Sequence, residues 1–274
     1  MTLSIISNYA ASVAHRNLRQ SDSGLSVALA KLAAGRRVLS AKDDAAALAI
    51  GSRLGAEVSG LQQAQSNAGQ AGSMLQVADG GMARIDDVLT QMKSLAVQAS
   101  SGQLSAGDRA ALNTEFQSLS SEVDRVSAST DFGGTKLLDG SAGTTSVKVG
   151  TGATASDDIA VALGSTSTTA LSINGADITS QANADAANTA IGNAIDRIQT
   201  LRAGIGASEN RLDYAASNVS TTIENTEAAR SSLMDLDVAS EASNLANKKI
   251  LTQAGIAMQK QANQQPKSLL KLFV

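Results

Sequence analysis

The sequence predicts a mainly α-helical protein: a long antiparallel, coiled-coil-like helical rod with paired terminal helices and a small central insertion rich in β-hairpins. At both ends, apolar residues recur at alternating spacings of three and four, the pattern of packed helices. Aromatic residues make up only 2% of the chain. Few large side chains are therefore available for a core, which favours close packing of helices through small residues. Between the ends the chain is rich in Gly, Ser and Thr, which favours turns.

Composition excludes several classes of function. The 274 residues include no Cys and a single His, His15, so the sequence predicts no metal site, no disulfide framework and no cofactor. No acid–base pair or nucleophile stands out, and we do not expect an enzyme. A net charge of −3 with few aromatics argues against nucleic-acid binding. No run of about 18 apolar residues is present to span a membrane.

The first helix is predicted to end near Gly35, because glycine is a common helix stop signal. Its apolar residues lie seven apart, with small residues flanking them. The heptad row is Ala11, Leu18, Leu25 and Leu32, and the flanking residues are Ala14, Ser21 and Ala28.

The second helix is predicted over 45–99, where the spacing alternates strictly between three and four. At about 1.5 Å per residue it would be roughly 80 Å long. Its seam is Leu61, Ala64, Ala68, Ala71, Leu75, Ala78, Met82, Ile85, Leu89, Met92, Ala96 and Ala99.

A third, shorter helix follows. Ser105 is a suitable N-cap, and Asp108 favours the first turn because its charge complements the helix dipole. The apolar positions of this helix are Leu112, Phe116, Leu119, Val123 and Val126.

The middle of the chain, from Asp131 to about Ser180, contains three short β-prone runs, SVKVG, DIAVAL and ALSIN, separated by turn residues. We expect hairpins here. The hydroxyl-rich run that follows DIAVAL is predicted to be an exposed loop and a candidate for O-linked sugar. Its residues are Ser165, Thr166, Ser167, Thr168 and Thr169.

Helical spacing returns after the insertion and continues to Pro266, the only proline, which is predicted to close the last helix. Two rows of this region lie on one seam. They are Ile191, Ile198, Ile205, Leu212, Val219, Thr226 and Leu233, and Ala194, Leu201, Ser208, Ala215, Thr222, Ala229 and Leu236. The last segment carries the stripe Ala239, Ala242, Ala246, Ile250, Ala254 and Ala257.

The terminal segments, about 1–35 and 240–274, would form only a two-helix pair with little area to bury. Such a pair becomes stable when neighbouring copies cover it, which predicts self-association through both termini. The expected organisation has five parts. They are an N-terminal assembly helix and connector over 1–40, two rod segments over 41–139 and 186–236, a short β/loop surface region over 140–185, and a C-terminal assembly helix over 237–274.

Several long motifs at both ends of the chain point to one protein family. They are KLAAGRRVLSAKDDAAALAIGSRL at 31–54, LAVQAS at 95–100, EVDRVS at 122–127, ENRLDYAASN at 209–218, ILTQAGIAM at 250–258 and QANQQPKSLLKLF at 261–273. In these motifs, and in their order along the chain, the sequence resembles the bacterial flagellins. The similarity leaves out only about 140–185.

This resemblance implies a structural subunit that polymerises into the flagellar filament for swimming, outside the cell. It implies export in unfolded form through the flagellar type III apparatus and folding of the termini on assembly. The implied partners are other copies of the chain, an export chaperone, the filament cap and the hook-junction proteins. The assembly residues it points to are Leu18, Leu25, Leu32, Arg36, Arg37, Lys42, Asp43, Asp44, Ile250, Ala254 and Ala257.

The charged members of that set surround the break between the first two helices. Their functional interpretation is a connector whose charges pair between subunits. The alternative is a solvated turn in which Ser40 or Asp43 caps the next helix.

A second candidate surface contains Gln91, Leu95 and Glu115 and resembles the segment that animal innate receptors recognise in some flagellins. Those flagellins carry Arg where Gln91 stands, so a charge-assisted hydrogen bond would be lost. An ordinary surface used for filament contacts is the alternative.

Two other functions stay open at this stage. One is a hook–filament junction protein, which would share the terminal helices but occur in few copies. The other is a surface-displayed binding protein that uses the central insertion, although the insertion has no aromatic platform for sugar stacking.

Overall fold

The computed structural model describes the backbone of residues 8–270 and the side chains of 8–264. The chain divides into two compact units: a central unit, residues 57–224, and a terminal unit, residues 1–56 and 225–274. The helices are α1 (Tyr9–Ala34), α2 (Ala45–Ala99), α3 (Ala106–Ser129), α4 (Gln181–Met234) and α5 (Val238–Leu270). The strands are β1 (Asp131–Phe132), β2 (Thr135–Lys136), β3 (Thr144–Lys148) and β4 (Asp158–Ala162), with a 3₁₀ turn at Ala155–Asp157.

In the central unit, α2 and α4 run antiparallel. Arg202 on α4 makes two hydrogen bonds to the Asp79 carboxylate on α2, at 2.7 and 3.1 Å. Further along, Gln199 donates to Asp86 at 2.9 Å. Every position of the α2 seam predicted from Leu61 to Ala99 is at most 8% exposed. The strict three–four spacing therefore identified the buried face of this helix correctly.

α3 completes the helical core and begins as predicted. Ser105 and Asp108 form a capping box, in which each side chain bonds the other residue's backbone N–H. Phe116 and Val123 on the inner face of α3 are fully buried in the same apolar cluster as α2 and α4. After α2 ends, Arg109 donates to the Ala99 carbonyl at 2.8 Å and so satisfies one of the free carbonyls at that helix end.

The segment between α3 and α4 contains two antiparallel hairpins. Gly133 and Gly134 make the β1–β2 turn with positive φ angles of 58° and 86°, which a glycine pair adopts without strain. β3 pairs with β4, so two of the three predicted β-prone runs are strands. The third, ALSIN, is not a strand. It forms turns, in which Leu171 and Ile173 bond back to the carbonyls of Ser167 and Thr168.

The insertion is also less superficial than expected. Its apolar side chains lie in the same core cluster as Leu75 and Ile191 of the two long helices. Buried members of the insertion include Val147, Val149, Ile159, Val161, Leu163, Leu171, Ile173 and Ile178.

In the terminal unit, α1 and α5 pack antiparallel. α1 ends at Ala34, and Gly35 terminates it in the left-handed conformation with φ 64°, which confirms the predicted stop. The expectation that Pro266 closes the last helix is wrong. α5 continues through it to Leu270. The final residues of the QANQQPKSLLKLF motif, from Lys271 on, lie outside the described residues.

Candidate functional site: the terminal helices

α1 and α5 approach each other closely at several small residues. On α1, Ala28 is only 2% exposed and lies on the predicted seam. A methyl group added to Gly255 of α5 would stand 3.3 Å from Leu18, and one added to Gly24 of α1 would stand 3.4 Å from Lys248. The methyl group at Gly255 would also stand 3.8 Å from the Leu18 Cα atom, so the two helices approach closely there.

The face of α5 turned towards α1 is not the apolar stripe that the sequence predicted. The less exposed positions of α5 recur at alternating spacings of four and three, and several are polar. They are Glu241, Leu245, Lys248, Thr252, Gly255, Gln259 and Ala262.

The predicted apolar stripe of α5 instead lies in solvent. Ile250 is 61% exposed, and Ala254 and Ala257 are exposed as well. Ala239, Ala242 and Ala246 continue the same exposed stripe. Leu18, Leu25 and Leu32 of α1 are half-buried by contrast. Of the two predicted groups of assembly residues, the α5 group is therefore the more accessible to another molecule.

Other large apolar side chains add to this exposed surface. Met258 is 64% exposed, Tyr9 77% and Leu251 52%. An exposed set of this kind on a single chain marks an interaction surface. Further exposed members in the terminal unit are Val27, Leu29, Leu39, Ile50, Val238 and Ile256.

The connector between α1 and α2 is held by its aspartates within the chain. The Asp43 carboxylate accepts from the backbone N–H groups of Leu39 (3.1 Å) and Ser40 (3.0 Å) and from the Ser40 hydroxyl (3.1 Å). These bonds lower the pKa of Asp43, the Leu39 N–H first and the Ser40 N–H next. Asp44, rather than the predicted Ser40 or Asp43, caps α2, because its carboxylate accepts from the N–H of Ala47 at 2.9 Å.

The basic residues of the connector divide into two kinds. Arg37 is used internally: its guanidinium donates to the Leu233 carbonyl and its N–H to the Met234 carbonyl, both at 2.8 Å. Arg36 and Lys42 are exposed, and neither side chain forms an ion pair within the described residues. Val38, Ala47 and Met234 form a small buried cluster beneath this connector.

The candidate sugar-acceptor run is not the exposed loop that the sequence predicted. Thr166 is fully buried and Thr168 is 3% exposed. The N–H and hydroxyl of Thr168 both bond to the Asp124 carboxylate at 2.8 Å. Ser165 and Ser167 are half-buried, and only Thr169 is exposed. Because a sugar needs an accessible hydroxyl, Thr166 and Thr168 are excluded as acceptors in the folded chain.

The candidate receptor face is also only partly on the surface. Gln91 on α2 and Glu115 on α3 are exposed. Leu95 is 8% exposed and belongs to the central core. Recognition by a receptor stays a prediction that concerns Gln91 and Glu115.

Within residues 8–270, no helix combines the length and the apolar character needed to cross a lipid bilayer. In that same part of the chain, His and acidic residues are nowhere grouped in threes as a metal site would need.

Comparison with known families decides the identity. The model of the bacterial flagellin N-terminal helical region matches residues 5–143, and the model of the C-terminal helical region matches residues 188–273. The chain belongs to the bacterial flagellin family. The matched regions contain all of α1, α2 and α3 and all but the first turns of α4.

Individual flagellins are similar over nearly the whole length. The flagellin of Halalkalibacterium halodurans is 36% identical over 97% of this chain and 98% of its own. That of Listeria monocytogenes is 37% identical over 93% of this chain and 94% of its own. The crystal structure of Bacillus cereus flagellin superposes with a TM-score of 0.50 at 29% identity, and covers 60% of this chain and 94% of that one.

Membership of the flagellin family makes the chain a structural subunit of the flagellar filament. Copies of the subunit assemble into the filament, which serves bacterial motility. The hook–filament junction alternative is not favoured, since these relatives are flagellins over almost their full length. A polymer subunit needs surface that its neighbours cover, and the exposed face of α5 is apolar surface of that kind.

Proposed function

We propose that this chain polymerises through the outward face of its terminal helices, with the exposed α5 stripe as the main contact with neighbouring copies. The supporting observation is that apolar residues at helical spacing on α5 are exposed rather than buried. The predicted stripe through Ile250, Ala254 and Ala257 is apolar at helical spacing, yet it lies in solvent in the single chain. Burying it in a polymer would recover roughly 25 cal/mol for each Å² of apolar area removed from water.

The half-buried leucines of α1 have a complementary role in this proposal. Leu18, Leu25 and Leu32 keep α1 against α5, and Ala28 is buried on the same seam. Pairing the two helices aligns their outer faces, so both termini contribute to one surface.

The test is a charge placed on the stripe of the full-length chain. Ala254→Glu would bury an unpaired carboxylate in the polymer, which costs several kcal/mol. We expect this variant to stay monomeric in seeded assembly with a precipitating salt, followed by negative-stain electron microscopy. The matched control is Gln253→Glu, which adds the same charge at the neighbouring exposed position.

Filaments from Gln253→Glu but not from Ala254→Glu are the expected result. Normal filaments from Ala254→Glu would contradict the role of the stripe. If both variants fail while the central unit keeps its melting temperature, the interface is wider than the stripe.

We also propose that Arg36 and Lys42 pair with acidic groups of neighbouring subunits. The support is that both cations are exposed and make no ion pair within the described residues, while Arg37, Asp43 and Asp44 bond inside the chain. Lys42→Gln should then raise the monomer concentration needed for assembly at low salt more than at high salt, since salt screens exposed pairs. An equal effect at both salt concentrations would contradict the pairing.

Export in unfolded form through the flagellar type III apparatus is part of the same proposal, with an export chaperone, the filament cap and the hook-junction proteins as partners. The exposed apolar side chains of the terminal helices support it, because helices that leave such surface uncovered gain stability when a partner surface arrives. In hydrogen–deuterium exchange of the free chain, the backbone amides of α1 and α5 should exchange fast and those of α2 slowly. Equal protection in all three helices would contradict folding on assembly.

A further inference from the structure

Pro266 creates a gap in the hydrogen bonding of α5. The helix continues through it to Leu270. Proline has no backbone N–H, so it cannot donate to the carbonyl four residues earlier, which is that of Ala262. Ala262 is only 9% exposed. The hydrogen bond that this carbonyl accepts is partly buried. A carbonyl that lacks its helical donor in such surroundings costs free energy unless another donor replaces it.

The side chain of Asn8 supplies that donor. Its Nδ2 group donates to the Ala262 carbonyl oxygen at 2.8 Å. Its Oδ1 atom accepts from the backbone N–H of Ala11 at 3.0 Å and so caps the start of α1. One side chain therefore satisfies a free backbone group in each of two helices, across 254 positions of the sequence.

The chemistry of the two partners selects an amide. A backbone N–H can only donate and a backbone carbonyl can only accept, so the orientation of the Asn8 amide is determined by its partners. Aspartate would cap α1 equally well but has no proton to donate. Serine would also cap α1, but its single hydroxyl is too short to reach the second helix as well.

The contact holds the end of the helix pair that is far from the connector. At the connector end, the N–H of Leu236 donates to the Gly35 carbonyl at 3.2 Å. Between these two points the α1 side of the seam repeats at heptad spacing through Leu18, Leu25 and Leu32. Such a seam tolerates slippage by a heptad, and a single polar contact is a common way to specify its register.

We propose that Asn8 and Pro266 together form a register lock for assembly: Pro266 leaves one buried carbonyl of α5 open, and Asn8 is the positioning residue that fills it. The proposal rests on the assembly role of the terminal helices. A pair formed out of register would leave the Ala262 carbonyl without a donor. It would also shift the exposed α5 stripe along α1, so neighbouring subunits would meet a displaced surface.

A double-mutant cycle on the full-length chain tests the lock, using Asn8→Ser, Pro266→Ala and the double variant. Serine keeps the α1 cap and removes the donor to Ala262. Alanine at 266 restores the N–H that the Ala262 carbonyl lacks. The measurement is the critical monomer concentration for seeded filament growth.

We expect Asn8→Ser alone to raise the critical concentration about tenfold, because a buried carbonyl loses its donor. In the Pro266→Ala background the same change should have almost no effect, since α5 then satisfies its own carbonyl. The matched control is Asn17→Ser, which makes the same change at an exposed position of α1 and should leave the critical concentration unchanged.

An equal loss from Asn8→Ser in both backgrounds would overturn the proposal, because Asn8 would then act without Pro266. Equal critical concentrations for all variants would overturn it as well. Both outcomes differ from failure of the assembly proposal itself, which would appear as normal filaments from Ala254→Glu.

Discussion

The central and terminal units are both built from long helices, but they differ in where their apolar side chains lie. In the central unit, one continuous cluster buries both faces of the contact between α2 and α4, together with α3 and the hairpins. In the terminal unit, Ala28, Ala262 and a three-residue cluster are the main buried apolar groups among the described residues. Of the thirteen exposed large hydrophobic residues in the described part of the chain, ten belong to the terminal unit.

Apolar residues at helical spacing are thus buried in one unit and largely exposed in the other. In the central unit, heptad-spaced residues pack against partners within the chain. In the terminal unit, much of the apolar surface stays exposed in the single chain. Under the assembly proposal, neighbouring copies cover that surface, and the terminal helices gain stability when the filament forms.

The largest effect on stability is expected from truncating a side chain in the core of the central unit. Leu89 is fully buried in α2. Leu89→Ala should lower the free energy of unfolding of the monomer by about 2–5 kcal/mol, since it leaves a cavity as well as losing apolar contacts. The measurement is urea denaturation followed by circular dichroism.

Its counterpart in the terminal unit is Leu251→Ala, at a residue that is 52% exposed. This variant should change the unfolding free energy of the monomer by less than about 0.5 kcal/mol, while it weakens filament growth. Equal losses from the two leucine variants would break the comparison.

Two adjacent glycines of α2 in the central unit should change the stability of the monomer in opposite directions when each is replaced by alanine. A methyl group at Gly81 would stand 2.7 Å from the Thr130 hydroxyl and 2.8 Å from the buried Leu138 side chain. Gly81→Ala should therefore destabilise the monomer by about 1–2 kcal/mol through overpacking.

Gly80 has no neighbour within 4 Å of an added methyl group. Gly80→Ala should stabilise the monomer by about 0.5–1 kcal/mol, because alanine is the better helix former. Thermal melts of both variants check the pair. A loss from Gly80→Ala would show that this face of α2 is closed in the free chain.

A smaller effect is expected at the ion pair between α2 and α4. The Arg202 hydrogen bonds lower the pKa of Asp79, so the pair adds stability above about pH 4, the usual range of a free aspartate, and loses it as the pH falls through the lowered pKa. Both side chains are partly exposed, at 31% and 37%. Asp79→Asn should therefore cost only about 0.5 kcal/mol at pH 7.

The pH dependence distinguishes this pair from a general charge effect. The difference between the parent chain and Asp79→Asn should disappear in strong acid, as measured by denaturation between pH 7 and pH 2. Asp196→Asn removes an exposed carboxylate of α4 and should give no such difference. A constant difference at every pH would contradict the role of the Asp79 charge.

The smallest change in global stability is expected in the connector of the terminal unit. Asp43 bonds two backbone N–H groups there, and a neutral amide accepts such bonds less strongly than a carboxylate. Asp43→Asn should speed tryptic cleavage after Arg36, Arg37 and Lys42 in the free chain. The melting temperature of the central unit should not change. Unchanged cleavage would mean that the connector does not depend on this carboxylate.

Much of the helical architecture followed from the sequence alone. The bounds of α2, the Gly35 stop and the Ser105–Asp108 capping box were all predictable, because each depends on residues within a few positions of one another. Periodicity also identified the buried seam of α2, since a helix presents every third or fourth residue to the same side.

Tertiary structure decided the features that depend on distant partners. Thr166 and Thr168 are hydroxyl-rich loop residues by sequence, yet Asp124 and the Leu138 carbonyl hold them in the core. The face of α5 that meets α1 includes Glu241, Lys248 and Gln259, while the apolar stripe through Ile250 is exposed, and only the position of α1 shows this. α5 continues through Pro266, and the carbonyl four residues earlier accepts from the Asn8 amide, 254 positions away in the sequence. Sequence spacing determines which residues share a helix face, but only the folded chain decides what each face meets.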